Sequence, residues 1–100
     1  MADKIYAPYA RAAAVVAADG QLRKQKNVVQ VQRTGTGRYR LTVPETIDLP
    51  TAAMHVTADA GADWGTEVYV RPVKDHNHTA EVLTSKSGVA TNEPFHFSVL

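Results

Sequence analysis

Four histidines and ten acidic residues are available for chemistry in this 100-residue chain, and they crowd closest at Asp75-His76-Asn77-His78. On a strand, residues two apart share a face. His76 and His78 would then offer two imidazoles to one metal ion, with Asp75 or another histidine completing it. The spacing defines no third or fourth ligand, and the same letters describe a solvated turn whose Asp and Asn bond to their own backbone. The tract is therefore read as polar and turn-like. His76 and His78 are the metal candidates, no metal or other cofactor is assigned, and Asp75 and Asn77 remain candidate ligand contacts. His55 and His96 fall on the polar phase of their segments. They could pair across a sheet, yet nothing in the sequence places them together.

The reagents for catalysis are sparse. Hydrolysis by a nucleophile, base and orienting acid has only Ser85, Ser87 and Ser98 to draw on, and no Gly-x-Ser-x-Gly turn is present. Glu67 and Glu81 would be the carboxylate pair for glycoside chemistry, but they occupy positions expected for exposed strand residues. Gly35-Thr36-Gly37 lacks the lysine and the following helix of a phosphate loop. There are no cysteines, which excludes disulfides and thiol chemistry. No enzymatic activity is expected.

Charge narrows the partners. A net +1 is too small for the basic stripe of a nucleic-acid binder, so no nucleic-acid partner is expected. Arg23, Lys24 and Lys26 would join Arg33, Arg38 and Arg40 in one anion-binding patch if their strands pair. A lysine-protected, solvated edge is the plainer reading. Trp64 is the only tryptophan and sits among small residues in Gly61-Ala62-Asp63-Trp64-Gly65-Thr66. It would anchor a partner or stack on a sugar, or else cap the core. Ile5, Tyr6, Pro8 and Tyr9 form an apolar N-terminal arm. It has few internal reasons to be apolar unless it docks on a neighbour's sheet edge or across a subunit boundary.

These residues need a frame, and period-two alternation supplies it. Val29, Val31 and Arg33 alternate with Gln30 and Gln32; Tyr39, Leu41 and Val43 alternate with Arg38, Arg40 and Thr42. Thr34-Gly35-Thr36-Gly37 between them predicts a hairpin in which both glycines supply positive φ angles. Further strands are expected at Met54–Ala58, Glu67–Val73, Thr79–Thr84 and Pro94–Leu100. An extended or irregular connection is expected between Pro44 and Pro50, and loops are expected around Trp64 and over Ser85–Asn92. Ala10–Ala18 has helix propensity, but it is short and runs into Asp19-Gly20. A strand from about Ala12 to Ala17 turning back through Leu22 is preferred.

The run Val28–Val43, with Ala17–Leu22 before it and Glu93–Val99 at the end, resembles a recurring β-module of bacterial surface or secreted proteins and phage tail-fibre-like proteins. That resemblance implies a β-rich accessory or adhesive unit and no active site. It also implies, for some relatives, a cysteine near Ala52 or Ala53 and another past the last strand. This chain has neither.

The expected architecture is an all-β, small antiparallel β-sandwich over residues 10–100 behind an extended arm, residues 1–9. The alternatives are a small β-barrel, or one sheet with a short N-terminal helix. The expected role is a non-enzymatic structural or assembly module that self-associates as a homo-oligomer or decorates a larger particle. A glycan- or receptor-binding module is the alternative. Ile5, Tyr6, Tyr9 and Trp64 are the assembly contacts; Trp64, Tyr69, Asp63, Asp75, Asn77 and His78 would serve a glycan. No signal-peptide pattern and no apolar run of membrane-spanning length is present. A soluble protein is therefore expected, in a compartment the residues do not name, with a virion or extracellular particle one setting.

Overall fold

The computed structural model describes residues 3–100; Met1 and Ala2 of the expected arm lie outside them. The strands are β1 (Asp3–Lys4), β2 (Ala12–Val16), β3 (Leu22–Lys26), β4 (Gln30–Gly35), β5 (Arg38–Thr42), β6 (Met54–Ala58), β7 (Thr66–Val73), β8 (His76–Lys86), β9 (Val89–Ala90) and β10 (Phe95–Val99). They form two sheets, ordered β1-β3-β2-β10-β6 and β4-β5-β8-β7, with β9 beside β8. Apart from the parallel β1–β3 contact the pairings are antiparallel. The protein is a small all-β sandwich, neither a closed barrel nor a sheet with an N-terminal helix. Among the described residues no helix is long and apolar enough to cross a membrane.

Packing explains why an alanine-rich segment becomes a strand. The inward residues of β2 are Ala12, Ala14 and Val16, and each lies opposite a larger one on β10: Val99, Phe97 and Phe95. All six are buried. Small residues let the neighbouring phenylalanines fill the layer at interior density, so tertiary fit overrides the intrinsic helix preference of alanine. The second sheet contributes Tyr39, Leu41, Val43, Ala80 and Val82 from β5, the residue after it, and β8. Tyr39 and Phe95 meet edge to face across the layers, ring centroids 5.0 Å apart. The Tyr39 hydroxyl donates to the Ala18 carbonyl at 2.6 Å, and burial raises its pKa.

Four local expectations are corrected. In the β4–β5 hairpin only Gly37 has a positive φ, 68°, because the register shift between Arg33 and Gly35 absorbs Gly35 into the strand end. The Pro44–Pro50 connection ends in a single 3₁₀ turn, Leu49–Thr51, since buried Ile47 and Leu49 fold it onto the core. Asp75 alone of its tract forms the turn, at φ 65°, while His76 already begins β8. The expected loop over Ser85–Asn92 contains β9, which pairs with the end of β8.

The arm lies along the chain's own first sheet. Asp3 and Lys4 pair with Lys24 and Gln25, and the Ile5 amide donates to the Gln25 carbonyl at 2.9 Å. Beyond Tyr6 the chain turns, and the Lys26 ammonium closes that turn by donating to the Ala7 and Ala10 carbonyls at 2.8 and 2.6 Å. Charge-assisted hydrogen bonds of this kind contribute about 1.5–3 kcal/mol. Lys26→Met should therefore leave the sandwich folded but speed hydrogen exchange at the Ile5 and Ala10 amides by roughly tenfold or more.

Candidate interaction surface

Period-two geometry determines what the outer face of the first sheet offers. Its outward residues form two rows across the strands: Lys24, Val15, His96 and Thr57 in one, Lys26, Ala13, Ser98 and His55 in the other. In the second row the small Ala13 and Ser98 lie between the longer Lys26 and His55, and in the first Val15 lies between Lys24 and His96. The result is a trough of ≈ 710 Å³, floored by Ala13, Val15 and Ser98 and walled by Lys24, His55 and His96, with Ile5 and Tyr6 of the arm at its side. Tyr6 is 93% exposed. The histidines His55 and His96 are diagonal neighbours on adjacent strands, but His96 bonds elsewhere. Its Nε2 lies 2.6 Å from Asp59 Oδ1.

Asp59 begins the β6–β7 loop and braces it. Its Oδ2 accepts from the Gly61 amide at 3.0 Å, and this bond, followed by His96, holds the Asp59 pKa below its ordinary 3.8. A depressed carboxylate pKa stabilises the fold above its unfolded value, and that contribution is lost as pH falls through the folded value. Asp59→Asn should accordingly flatten the loss of thermal stability expected below about pH 4. An unchanged acid limb in the variant would show that the bond does not matter to folding.

Trp64 projects from this same loop with 98% of its surface exposed, so it does not cap the core. The loop around it is well held. The Asp63 carboxylate pairs with Lys86 at 2.9 Å, the Asp63 carbonyl accepts from the Thr66 hydroxyl at 2.7 Å, and the Ser87 amide donates to the Gly65 carbonyl. An indole on a braced loop costs little conformational entropy to bury, which suits an anchor. Tyr9, at the opposite end beside Arg11 and Asn27, is 93% exposed.

The remaining candidates are dispersed. Tyr69 lies on the outer face of the second sheet, half exposed, its hydroxyl donating to Glu67 at 3.0 Å. Asp75, Asn77 and His78 sit where β8 starts, whereas Trp64 lies beside its end at Lys86. The strand between spans about 30 Å at ~3.3 Å per residue, so the residues expected to grip one glycan are not brought together. His78 is half-buried with Nδ1 2.8 Å from the Ile47 carbonyl, while His76 is exposed. Among the described residues no three metal-ligating side chains converge.

Two further expectations fail for topological reasons. The strand carrying Arg23, Lys24 and Lys26 is in the first sheet and the one carrying Arg33 is in the second, so the basic residues form no single patch. Glu81 is not an exposed strand position. It is buried on the outer face of the second sheet between Arg40 and Arg71, its carboxylate 2.5 Å from the Arg71 guanidinium. Two flanking guanidiniums compensate its burial. The trough itself has no trace in any motif. Its signal was the alternation of alanine and serine with long polar residues on strands that become neighbours only in the fold.

No known family model, curated protein or solved structure with which the chain was compared matches it.

Proposed function

We propose that the chain is a non-enzymatic assembly module, which associates with copies of itself or is built into a larger particle such as a fibre or virion. One observation carries the reading: Trp64, Tyr6 and Tyr9 are 98%, 93% and 93% exposed, on segments held in place by hydrogen bonds. Each such ring buries about 150–250 Å² when covered. Tryptophan in particular is highly buried on average in folded proteins. Near-zero net charge supports the same reading, because it lowers repulsion between copies.

The glycan-binding alternative retains Asp63, Trp64 and Tyr69 but has Asp75, Asn77 and His78 at the far end of β8.

Light scattering on the full chain over a wide concentration range tests the proposal. The weight-average mass should rise with concentration. A mass fixed at that of the monomer throughout would overturn self-association.

A further inference from the structure

We infer that Trp64 of one copy seats in the trough on the outer face of the first sheet of another. The inference rests on the self-association proposed above and assigns it a specific pair of surfaces. The knob and the trough belong to the same chain, but the indole is almost wholly exposed and is not among the trough's lining residues. Each is therefore unpartnered within one copy.

Size and chemistry match. A depression of ≈ 710 Å³ falls in the range of roughly 300–1,000 Å³ that encloses a small organic group. An indole fills part of it and leaves room for the flanking Ala62 and Gly65 backbone. The floor of Ala13, Val15 and Ser98 is made of short side chains, which lets a planar ring approach closely. Charge is complementary too. The segment from Asp59 to Glu67 holds three carboxylates and no basic residue; Asp59 is engaged by His96 and Asp63 by Lys86 within the copy, which leaves Glu67, whereas the cations Lys4 and Lys24 line the trough. Lys24 takes part in none of the ion pairs among the described residues, so its ammonium is available to an incoming carboxylate. Unlike charges brought together in this way steer encounter and fix orientation.

The knob and the trough are different patches, so two copies can seat one knob or exchange both. Reciprocal seating closes a two-fold dimer, whereas a single seating leaves one knob and one trough free for further copies, giving a ring or a filament.

That asymmetry gives a complementation experiment. Trp64→Ala removes the knob, and Ser98→Arg fills the trough from an outward-facing position that leaves the core alone. Lys24→Glu, at the exposed rim, is the substitute if Ser98→Arg fails to fold by circular dichroism. Sedimentation velocity should show each variant alone weakened in self-association by roughly 30-fold or more, the size of an aromatic hot spot. An equimolar mixture of the two should form a heterodimer and no larger species, through the intact knob of one and the intact trough of the other. Raising the salt concentration should weaken the wild-type contact.

If the wild-type chain associates and either variant does so equally well, the knob-and-trough contact is overturned while self-association stands. If both variants are monomeric alone and stay so when mixed, the contact is likewise overturned, because the two patches then do not meet each other. A wild-type chain that stays monomeric overturns both the contact and the proposal beneath it.

Discussion

Gly37→Ala is expected to destabilise the protein by about 3 kcal/mol or more, with a large drop in the urea midpoint. Gly37 has φ 68°, and a left-handed conformation at a non-glycine residue costs about 1–2 kcal/mol. Space is the second obstacle. A Cβ built there would overlap the Thr84 carbonyl oxygen and stand 3.1 Å from the Thr91 amide, backbone atoms that cannot swing aside. They are held because Thr84 donates its amide to the Gly37 carbonyl and its hydroxyl to the Thr91 carbonyl, while the Gly37 amide donates to Asn92 Oδ1. Movement that relieves the clash breaks bonds joining the β4–β5 turn to the segment before β10. Two other glycines isolate the terms. Gly88 has φ 83° but open space around a Cβ, so Gly88→Ala should cost only about 1–2 kcal/mol. Gly35 has neither obstacle, its nearest contact being the flexible Arg38 side chain at 3.9 Å, and Gly35→Ala should be close to neutral.

Phe95→Ala is expected to cost about 3–5 kcal/mol, measured by thermal or urea denaturation. Phe95 is wholly buried, lies on the central strand β10 with partners on both sides, and is the ring that meets Tyr39 from the other sheet. Its neighbours Val16 and Ala58 are too short to collapse into the space. Tyr39→Phe separates packing from hydrogen bonding at the same contact. It keeps the ring pair but leaves the Ala18 carbonyl without its 2.6 Å donor, at a cost of about 1–3 kcal/mol. Trp64→Ala should change monomer stability by less than about 0.5 kcal/mol, since the side chain covers nothing. The aromatic residues thus divide into those that build the sandwich and those that project from it.

Much of the fold was legible because one face of each strand is buried. Tyr39, Leu41 and Val43 on one strand and Phe95, Phe97 and Val99 on another alternate cleanly with polar residues. Both segments take their expected place and face. Ala12–Val16 was readable as a strand only from its neighbours, the Asp19-Gly20 turn above all, because alanine itself points the other way. The errors share a cause. Which strands become neighbours is not written in local spacing, so nothing in it separates the six basic residues into two sheets or brings two arginines onto Glu81.

The proposed contacts were legible only as single residues. Tyr6, Tyr9 and Trp64 stood out as large aromatics in segments with small or flexible neighbours, and each is exposed. What composition hid is the trough. Ala13, Val15, Ser98, His55 and His96 come from three strands that meet only through the β2–β10–β6 order, and none belongs to a motif. The expected use of the arm on a neighbour's sheet edge meets a different geometry, in which β1 pairs with the chain's own β3 and Lys26 fastens the turn that follows.

A lone tryptophan makes the decisive reading direct. Fluorescence emission and acrylamide quenching of Trp64 report whether its indole is covered as copies come together. At high dilution the ring should be quenched as freely as a small indole in water. At concentrations where the scattering mass has risen, emission should move to the blue and quenching should fall. Emission and quenching that stay those of a solvated indole at every concentration would contradict the claim that this side chain is an assembly contact.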